Sequence, residues 1–308
     1  MGYRSVVLVK QVPDTKNLSG EVMKPDGTVN RAALPMIFNP EDLHALEAAL
    51  RVRDVYGGHV TVITMGAPGA CEVLREALYR GADDVILFTD RALAASDTLA
   101  TSYALSMVVR KVGNFDLVFC GRQAIDGDTA QVGPQTAEKL GLPQICYVED
   151  IIGISDGKIT VRRAIEGGYE IVRCPLPALL TVTNQGNEPR PRRAKRLMQF
   201  KDASTPSELA SRARKTLEAQ GKETTPTAIA AIVEPQVATL RARGLLLKEW
   251  SAADAGCDPN MIGGSHSPTR VKTIESVVLA GTEMKHIPPT EQGIRDLIHE
   301  LVVTHIID

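Results

Sequence analysis

Short runs of branched apolar residues alternate with longer amphipathic stretches over the first half of the chain. The apolar runs cover residues 5–11, 59–65, 84–89 and 116–122. They do not alternate strictly with polar residues, which is typical of strands buried on both faces. The stretches with apolar residues at helical spacing are 41–57, 68–84, 96–113 and 128–141. This order of strand and helix predicts a doubly wound, Rossmann-like α/β domain with a mostly parallel sheet over residues 1–184.

After Pro143 the apolar runs become shorter and more closely spaced. Four strand candidates lie between residues 144 and 182, with turn sequences at Asp156-Gly157 and Gly167-Gly168. The Asp-Gly turn predicts that the first two of these strands pair as an antiparallel hairpin.

The rest of the chain divides into three segments. Residues 185–203 are basic and contain several prolines, which predicts a loop. Residues 204–243 predict an insertion of two helices, and Pro235 is expected to kink the second one. Residues 244–308 have a loose pattern of apolar positions, so this segment would not easily form a buried core of its own. We expect this C-terminal arm to wrap around a partner or the first domain.

The composition excludes several classes of function. Aromatic residues make up 4% of the chain and the formal charge is −2, so a nucleic-acid surface is not expected. No segment approaches the roughly 18 consecutive apolar residues of a membrane span, and the N-terminal apolar run is too short for a secretory signal. The five cysteines are scattered without C-x-x-C spacing, which fits a reducing compartment and argues against disulfide or metal frameworks. We therefore expect a cytoplasmic protein.

Ligands of an open parallel sheet bind beyond the carboxyl ends of the strands. The strongest candidate there is the loop at residues 121–134, which follows a buried strand and leads into a helix. A helix N-terminus suits a diphosphate, and Asp128 with Gln131 is a candidate capping pair. Gly127 and Gly133 are expected to leave space for close approach of a ligand. An ordinary capped surface loop explains the same pattern equally well.

The negative charge of two residues in this loop limits which part of a ligand can lie beside them. Asp126 and Asp128 repel phosphate, so we expect them beside ribose or ribityl hydroxyls while backbone amides hold the phosphates. Thr129 and Gln131 are candidates for additional hydrogen bonds. The turn at residues 66–69 is a weaker candidate for ligand contact.

Two further features lie near the same predicted edge. Asn39, Pro40, Glu41 and Asp42 predict the start of a helix with proline in its first turn. Lys10 ends the first predicted strand and is expected to point into the same crevice. From pattern alone, a helix cap and a solvated or ion-paired lysine explain both features better than ligand contact does.

Motifs for catalysis are missing from the sequence. There is no G-x-S-x-G, no H-E-x-x-H, no C-x-x-C, no Walker A sequence and no G-x-G-x-x-G after the first strand. The pattern therefore indicates a protein that holds a cofactor and lets the cofactor do the chemistry.

Five stretches together resemble the beta (small) subunit of electron-transfer flavoproteins. The most specific is VRRAIEGGYEIVRCPLPALLTV at residues 161–182, a basic strand, an acidic-Gly-Gly turn and a strand that leads into L-P-A-L-x-T. The others, in the family's order, are VKQVPDT, FNPEDLHALEAAL, GADD-V and GRQAIDGDTAQVGPQTAEKLGLPQ. The resemblance implies an adenine-nucleotide-binding α/β domain whose partner is an alpha subunit that carries the main FAD.

The resemblance also implies a choice between two ligands. Some family members hold AMP at the beta-subunit site, whereas bifurcating members hold a second FAD and accept electrons from NADH. The sequence I-D-G-D-T-A-Q-V-G-P is similar to the bifurcating type, so FAD is the ligand we expect, with AMP as the alternative. The residues that the resemblance assigns to this site are Leu8, Val9, Lys10, Asn39, Pro40, Glu41, Asp42, Met65, Gly66, Ala124, Ile125, Asp126, Gly127, Asp128, Thr129, Ala130, Gln131, Val132, Gly133, Pro134 and Gln135.

The redox partners implied are an acyl-CoA dehydrogenase of fatty acid beta-oxidation or another redox protein, including a membrane oxidoreductase. In the family, an apolar residue in the loop after N-E-P-R anchors the partner, whereas here residues 191–199 are basic and Ala194 lies near the anchor position. The 204–243 insertion also departs from the family pattern. The resemblance further implies that the C-terminal arm at 244–308 contacts the alpha subunit.

Two other classes of protein fit the sequence less well. A nucleotide sensor of the universal-stress type would share the sheet, but the spaced glycine pattern of that group is missing. An adenylate-forming pyrophosphatase requires an S-G-G-x-D-S loop after the first strand, and V-K-Q-V-P-D-T differs from it.

Overall fold

A nine-stranded sheet organises the chain, whose computed structural model describes residues 2–14, 34–270 and 286–303. The strands are β1 (Tyr3–Val9), β2 (Gln11–Pro13), β3 (Met36–Phe38), β4 (Gly58–Met65), β5 (Asp84–Phe88), β6 (Leu117–Gly121), β7 (Gln144–Ser155), β8 (Lys158–Ile165), β9 (Gly168–Pro175), β10 (Ala178–Val182) and β11 (Lys248–Trp250). The helices are α1 (Pro40–Tyr56), α2 (Cys71–Arg80), α3 (Thr98–Val112), α4 (Val132–Leu140), α5 (Ala194–Phe200), α6 (Pro206–Ala219), α7 (Pro226–Ala242) and α8 (Glu291–Val303).

The strand order is β11-β5-β4-β1-β6-β10-β7-β8-β9, and the first seven of these strands run parallel. The two outer strands, β8 and β9, continue from β7 as an antiparallel meander. The chain leaves β1 toward β4 and β5 on one side and then returns to place β6 on the other side. The predicted doubly wound α/β fold is therefore confirmed, and its topological switch point lies between β1 and β6.

Alternate residues of β1 pack into two hydrophobic layers. Val7 belongs to a buried cluster with Leu46 of α1 and Leu74 of α2. Val6 belongs to a second cluster with Val108 of α3 on the opposite face. The central strands are thus covered on both faces, which is why their sequences are continuously apolar instead of alternating.

The four strand candidates between residues 144 and 182 are strands, and the predicted hairpin at Asp156-Gly157 is confirmed. The last of them, β10, does not stay with its neighbours in the chain. It inserts between β6 and β7 and pairs in parallel with both. All five residues of β10 are buried, which is consistent with its position inside the sheet.

The basic segment at residues 185–203 is only partly a loop. Residues Ala194–Phe200 form α5, so the expectation of a loop is wrong for this part. Arg190 holds the segment to α1 through Glu47, with Nε 2.7 Å from Oε2. Arg192 holds it to α2 through Glu76, with Nη2 2.6 Å from Oε1. Two of the six basic residues of this segment are therefore paired with carboxylates of the sheet-covering helices.

The two helices predicted for residues 204–243 are confirmed as α6 and α7, and their being an insertion into the family pattern stays a prediction. Each begins in the same way, because Thr205 and Thr225 accept a hydrogen bond from the backbone three residues on and a proline follows each of them. Threonine at the N-cap and proline at the first helical position are typical of helix starts. Pro235 lies inside α7 as the sequence indicates, and a kink there stays a prediction.

A buried ion pair attaches α6 to the sheet domain. Arg75 of α2 and Glu208 of α6 face each other with Nη1–Oε2 and Nη2–Oε1 distances of 2.8 and 2.9 Å. The two side chains are 5% and 6% exposed. Burial alone would raise the pKa of Glu208, but hydrogen bonds from Arg75 and Ser204 hold this pKa below its usual range. The carboxylate is therefore charged and fully hydrogen-bonded, as a buried charge requires.

Residues after the insertion return to the sheet. Strand β11 adds to its edge beside β5, with Trp250 opposite Phe88. Ala252, Cys257 and Ile262 then join the buried cluster on the α3 face. Described residues up to 270 belong to one compact unit, and residues 286–303, which contain α8, belong to a second. A contact of the 244–308 arm with an alpha subunit stays a prediction, and none of the described helices is long and apolar enough to cross a membrane.

We expect Glu208→Gln to lower the free energy of unfolding by up to about 3–5 kcal/mol, because it removes the buried carboxylate and leaves the Arg75 guanidinium with only the half-exposed Glu72 as a counter-charge. Urea denaturation at neutral pH measures this loss. Glu218→Gln, an exposed change on the same helix, is the matched control and should cost less than about 0.5 kcal/mol. Equal effects of the two substitutions would contradict the importance of the buried pair.

Candidate functional site

The loop after β6 and the end of β1 meet at the topological switch point of the sheet. Lys10 follows β1 directly, and residues 122–131 follow β6. The N-terminus of α1 lies against both, since its first-turn carboxylates bind backbone amides of each. The sequence placed all three elements at this edge, and the structure brings them into contact.

Asp42 joins the two strand ends through backbone hydrogen bonds. Its Oδ2 accepts from the amide of Lys10 at 2.8 Å, and its Oδ1 accepts from the amide of Gly121 at 2.8 Å. Burial raises the pKa of Asp42 to about 7, although these two amides and the side chain of Asn39 lower it. Gly121 has to be glycine here, because a Cβ would lie 2.6 Å from Oδ1 of Asp42.

Glu41 and Asn39 extend these contacts along the loop. Glu41 accepts from the amide of Gln123 at 2.9 Å and from Nη2 of Arg122 at 2.9 Å. Asn39 donates from Nδ2 to the carbonyl of Gln123 at 2.9 Å and accepts from the amide of Ile125 at 3.2 Å. Three neighbouring side chains of the α1 start therefore fix the backbone from residue 121 to residue 125.

Asn39, Glu41 and Asp42 were expected from the sequence as helix-start residues and site candidates. Their partners Arg122 and Gln123 belong to the candidate loop at residues 121–134, because they directly follow a buried strand at the predicted ligand edge. The resemblance did not assign these two residues to the nucleotide site, and their pairing with Glu41 and Asn39 is visible only in the structure.

The second half of the loop presents a row of backbone amides. Among the described residues, the amides of Thr129, Ala130, Gln131, Val132 and Gly133 have no hydrogen-bond acceptor. Asp128 and Ala130 have φ angles of 48° and 53°, which turn the chain sharply before α4. Successive free amides in such a turn, at a helix N-terminus, form an anion-binding concavity.

The two loop glycines have different roles. A Cβ on Gly127 would have no other heavy atom within 4 Å, so this residue borders open space. A Cβ on Gly133 would lie 2.8 Å from Sγ of Cys120 and 2.8 Å from Cγ2 of Thr181. Both glycines were expected to leave room for a ligand, whereas Gly133 leaves room for the sheet and lets α4 pack closely on it.

Side chains of the loop are paired with one another across the site. Lys10 Nζ lies 2.7 Å from Oδ2 of Asp126, and Gln123 Nε2 donates to Asp128 Oδ1 at 2.9 Å. The expected capping pair of Asp128 and Gln131 is wrong. Gln131 is the N-cap residue of α4 without a side-chain cap, and its Oε1 accepts from Thr98 Oγ1 at 2.8 Å.

The remaining predicted residues line the same edge. Leu8 and Val9 are buried at the end of β1, Met65 ends β4, and Gly66 donates its amide to the carbonyl of Phe88. Pro40 is in the first turn of α1, and Pro134 and Gln135 are in the first turns of α4. Contact of these residues with a nucleotide stays a prediction.

Asp42 should make the stability of the protein depend on pH. Because its folded pKa of about 7 lies above the ordinary value of 3.8, its stabilising contribution is complete in acid and is lost as the pH rises through 7. We expect the free energy of unfolding to fall by up to about 1.4 kcal/mol per pH unit between pH 5 and 6 from this group. Urea denaturation between pH 5 and 8 measures the slope.

The variant Asp42→Asn should lack this slope. Asp116→Asn is the matched control, since Asp116 also accepts a backbone hydrogen bond, from Arg4 at 2.7 Å, but lies at an exposed position. Its pH profile should parallel that of the unmodified protein. Parallel profiles for all three proteins would contradict a protonated Asp42.

Comparison with known proteins agrees with this arrangement. Residues 26–208 match the family model of the electron transfer flavoprotein domain. The electron transfer flavoprotein subunit beta of Clostridium acetobutylicum is 50% identical over 185 residues, which cover 60% of this chain and 70% of that protein. Protein FixA of Sinorhizobium fredii is 39% identical over 306 residues, 97% of this chain and 92% of the relative.

A third relative has a more specific name. The caffeyl-CoA reductase-Etf complex subunit CarD of Acetobacterium woodii is 50% identical over 188 residues, which cover 61% of this chain and 71% of CarD. The extent and identity of these matches show that the chain belongs to the electron transfer flavoprotein family, among its beta-type subunits.

Proposed function

We propose that this chain, as the beta subunit of a heterodimeric electron transfer flavoprotein, binds FAD at the carboxyl edge of its sheet. It passes electrons between NADH or a dehydrogenase and another redox protein. The observation that carries the FAD assignment is the row of free amides from Thr129 to Gly133 at the start of α4.

A diphosphate fits this row better than a neutral group does. Five consecutive N–H donors at a helix N-terminus combine hydrogen bonding with the positive end of the helix dipole. Lys10 supplies a basic side chain beside the loop, and its side chain is 48% exposed although paired with Asp126. With the phosphate oxygens on the amides, Asp126 and Asp128, which already accept from Lys10 and Gln123, would lie beside hydroxyl groups of the ligand.

The size of the ligand is the second part of the proposal. Open space around Gly127 supports a ligand that extends past the phosphates, which AMP does not do. The bound flavin supplies the redox chemistry. The residues of this chain bind and orient it: Asn39, Glu41 and Asp42 fix the loop, and the loop amides hold the diphosphate.

The alpha subunit is the proposed partner of α8. This helix presents Ile294, Ile298 and Val302 on one face, and each is 44% or more exposed. A row of apolar residues with four-residue spacing is typical of a helix that packs against another protein. We assign this face to the contact of the C-terminal arm with the alpha subunit.

An acyl-CoA dehydrogenase or another enzyme of CoA-ester redox chemistry is the proposed electron-exchange partner. The name of CarD supports this class, since CarD belongs to a caffeyl-CoA reductase complex. Docking through the 185–203 segment is supported by two exposed residues of α5, Lys195 and Met198. Met198 is 63% exposed, so it offers an apolar side chain to a partner. If this segment docks the partner, we expect the Met198→Asp variant to slow the bleaching of the flavin by an acyl-CoA and its dehydrogenase.

A cytoplasmic location of the protein stays a prediction.

Counting the bound cofactors tests the central part of the proposal. The co-expressed alpha and beta subunits are purified together, and FAD and AMP are counted after denaturation. We expect two FAD per heterodimer, and bleaching of the flavin absorbance by NADH or by an acyl-CoA with its dehydrogenase. One FAD with one AMP would contradict FAD at this site and support the simple carrier with structural AMP.

The variant Ile298→Asp tests the role of α8. A carboxylate in the middle of the apolar face should prevent the alpha subunit from co-purifying, because a buried unpaired charge costs several kcal/mol. Gln292→Asp adds the same group outside the apolar row, on the side of α8 away from Ile294, and should leave co-purification intact. Equal recovery of the alpha subunit with both variants would contradict the assignment.

A further inference from the structure

Tyr147 has a left-handed backbone conformation, which is unusual for a residue inside a strand. Its φ angle is 60°, inside β7. The pairing of β7 with β10 shifts here, since Leu180 is opposite Ile145 but Val182 is opposite Val148. The strand therefore contains a bulge with one extra residue. A bulky residue in the left-handed region is a genuine outlier, and bulges beside functional sites redirect side chains.

The bulge directs the tyrosine ring onto Arg122. The ring centroid lies 5.7 Å from the guanidinium carbon, and Tyr147 stays 41% exposed. Arg122 itself is fixed, because its Nη2 donates to Glu41 and its amide donates to the carbonyl of Val182. The ring and the guanidinium thus form a rigid, partly exposed surface immediately before the candidate loop.

A cation–π contact alone does not explain the strain. Tyr169 in the outer hairpin lies over Arg162 at the same distance of 5.7 Å, and its φ angle is not positive. Of these two tyrosines, only the one at the ligand edge of the sheet is strained. Strain of this kind persists where the surrounding structure fixes it, and an observed outlier is a sound starting point for a functional hypothesis.

The strand order indicates which part of a ligand would reach Tyr147. Val9 and Met65, which the resemblance assigns to the nucleotide site, end β1 and β4, and the proposal places the adenosine half of the ligand beside them. The free amides for the diphosphate follow β6, and β10 and β7 lie beyond β6 on the far side from β4. A dinucleotide that runs along this edge in the order adenosine, diphosphate, flavin therefore ends at β7.

We propose that Tyr147, held over Arg122, is the surface on which the isoalloxazine ring of FAD packs, so that this pair selects FAD over AMP. The inference rests on the proposed binding of FAD at this edge. AMP has no group that reaches Tyr147, so the tyrosine should affect the affinity for FAD and leave the affinity for AMP unchanged.

The test uses the purified alpha–beta pair, dialysed to remove the exchangeable ligand, with the remaining flavin counted beforehand. FAD and AMP are titrated separately by calorimetry into the unmodified pair and into pairs with Tyr147→Phe, Tyr147→Ala or Tyr147→Gly. The glycine variant relieves the strained φ angle while removing the ring, so a folding defect is separated from loss of the ring. Tyr169→Ala is the matched control.

We expect Tyr147→Ala and Tyr147→Gly to weaken FAD binding by roughly tenfold, the loss typical of one aromatic stacking contact. AMP binding should stay within about twofold in every variant, and Tyr147→Phe and Tyr169→Ala should bind FAD like the unmodified pair. Unchanged FAD binding in the alanine and glycine variants would overturn this inference and leave the proposed function intact. An equal loss of AMP affinity would also overturn it. An unmodified pair that takes up AMP and no exchangeable FAD would overturn both proposals.

Discussion

The carboxylate of Asp42 holds the ends of β1 and β6 together by accepting a hydrogen bond from the amide of Lys10 and another from the amide of Gly121. Its neighbours Glu41 and Asn39 then fix the next four residues of the loop. Desolvation of a carboxylate costs free energy. A buried aspartate at this point therefore indicates that the shape of the loop outweighs the cost of burying the group. The arrangement fixes the first half of the proposed ligand loop without any ligand.

The helices that cover one face of the sheet support both the ligand edge and the partner-facing segments. Helix α1 carries Asp42 at its start and, further along, Glu47, which binds Arg190 of the basic segment. Helix α2 follows the turn after β4 and binds α6 through the ion pair of Arg75 and Glu208. Segments that differ in proposed role are therefore attached to the same two helices through buried carboxylates and arginines. This common attachment gives the proposed ligand edge and the proposed docking segment a shared base.

The sequence predicted the elements of the parallel domain and the ligand edge, because both depend on local patterns. Apolar runs such as residues 116–122 mark buried strands, and the loop that follows a strand is known from chain order alone. Position in the sheet depended on distant pairing, so the place of β10 between β6 and β7 and the addition of β11 were not predicted. Tyr147 was also missed, because a bulge arises from the register between two strands and leaves no local signal.

The partners of charged residues were hidden for the same reason. Residues 185–203 are basic, and only the structure shows that Arg190 and Arg192 are bound by carboxylates more than 100 residues away in the chain. The reason for Gly133 was likewise hidden, since its neighbours Cys120 and Thr181 come from two other strands. A single sequence shows which residue types are present, and the partners that decide their roles become visible only in the folded chain.

Amide hydrogen exchange of the ligand-free pair tests most directly whether the start of α1 shapes the loop in advance. The account predicts that the amides of Gly121, Gln123 and Ile125 are already protected without ligand and change little when FAD is added. The amides from Thr129 to Val132 should exchange rapidly without ligand and become protected with it. Rapid exchange at Gly121 and Gln123 in the free protein, with protection only after FAD is added, would contradict the account.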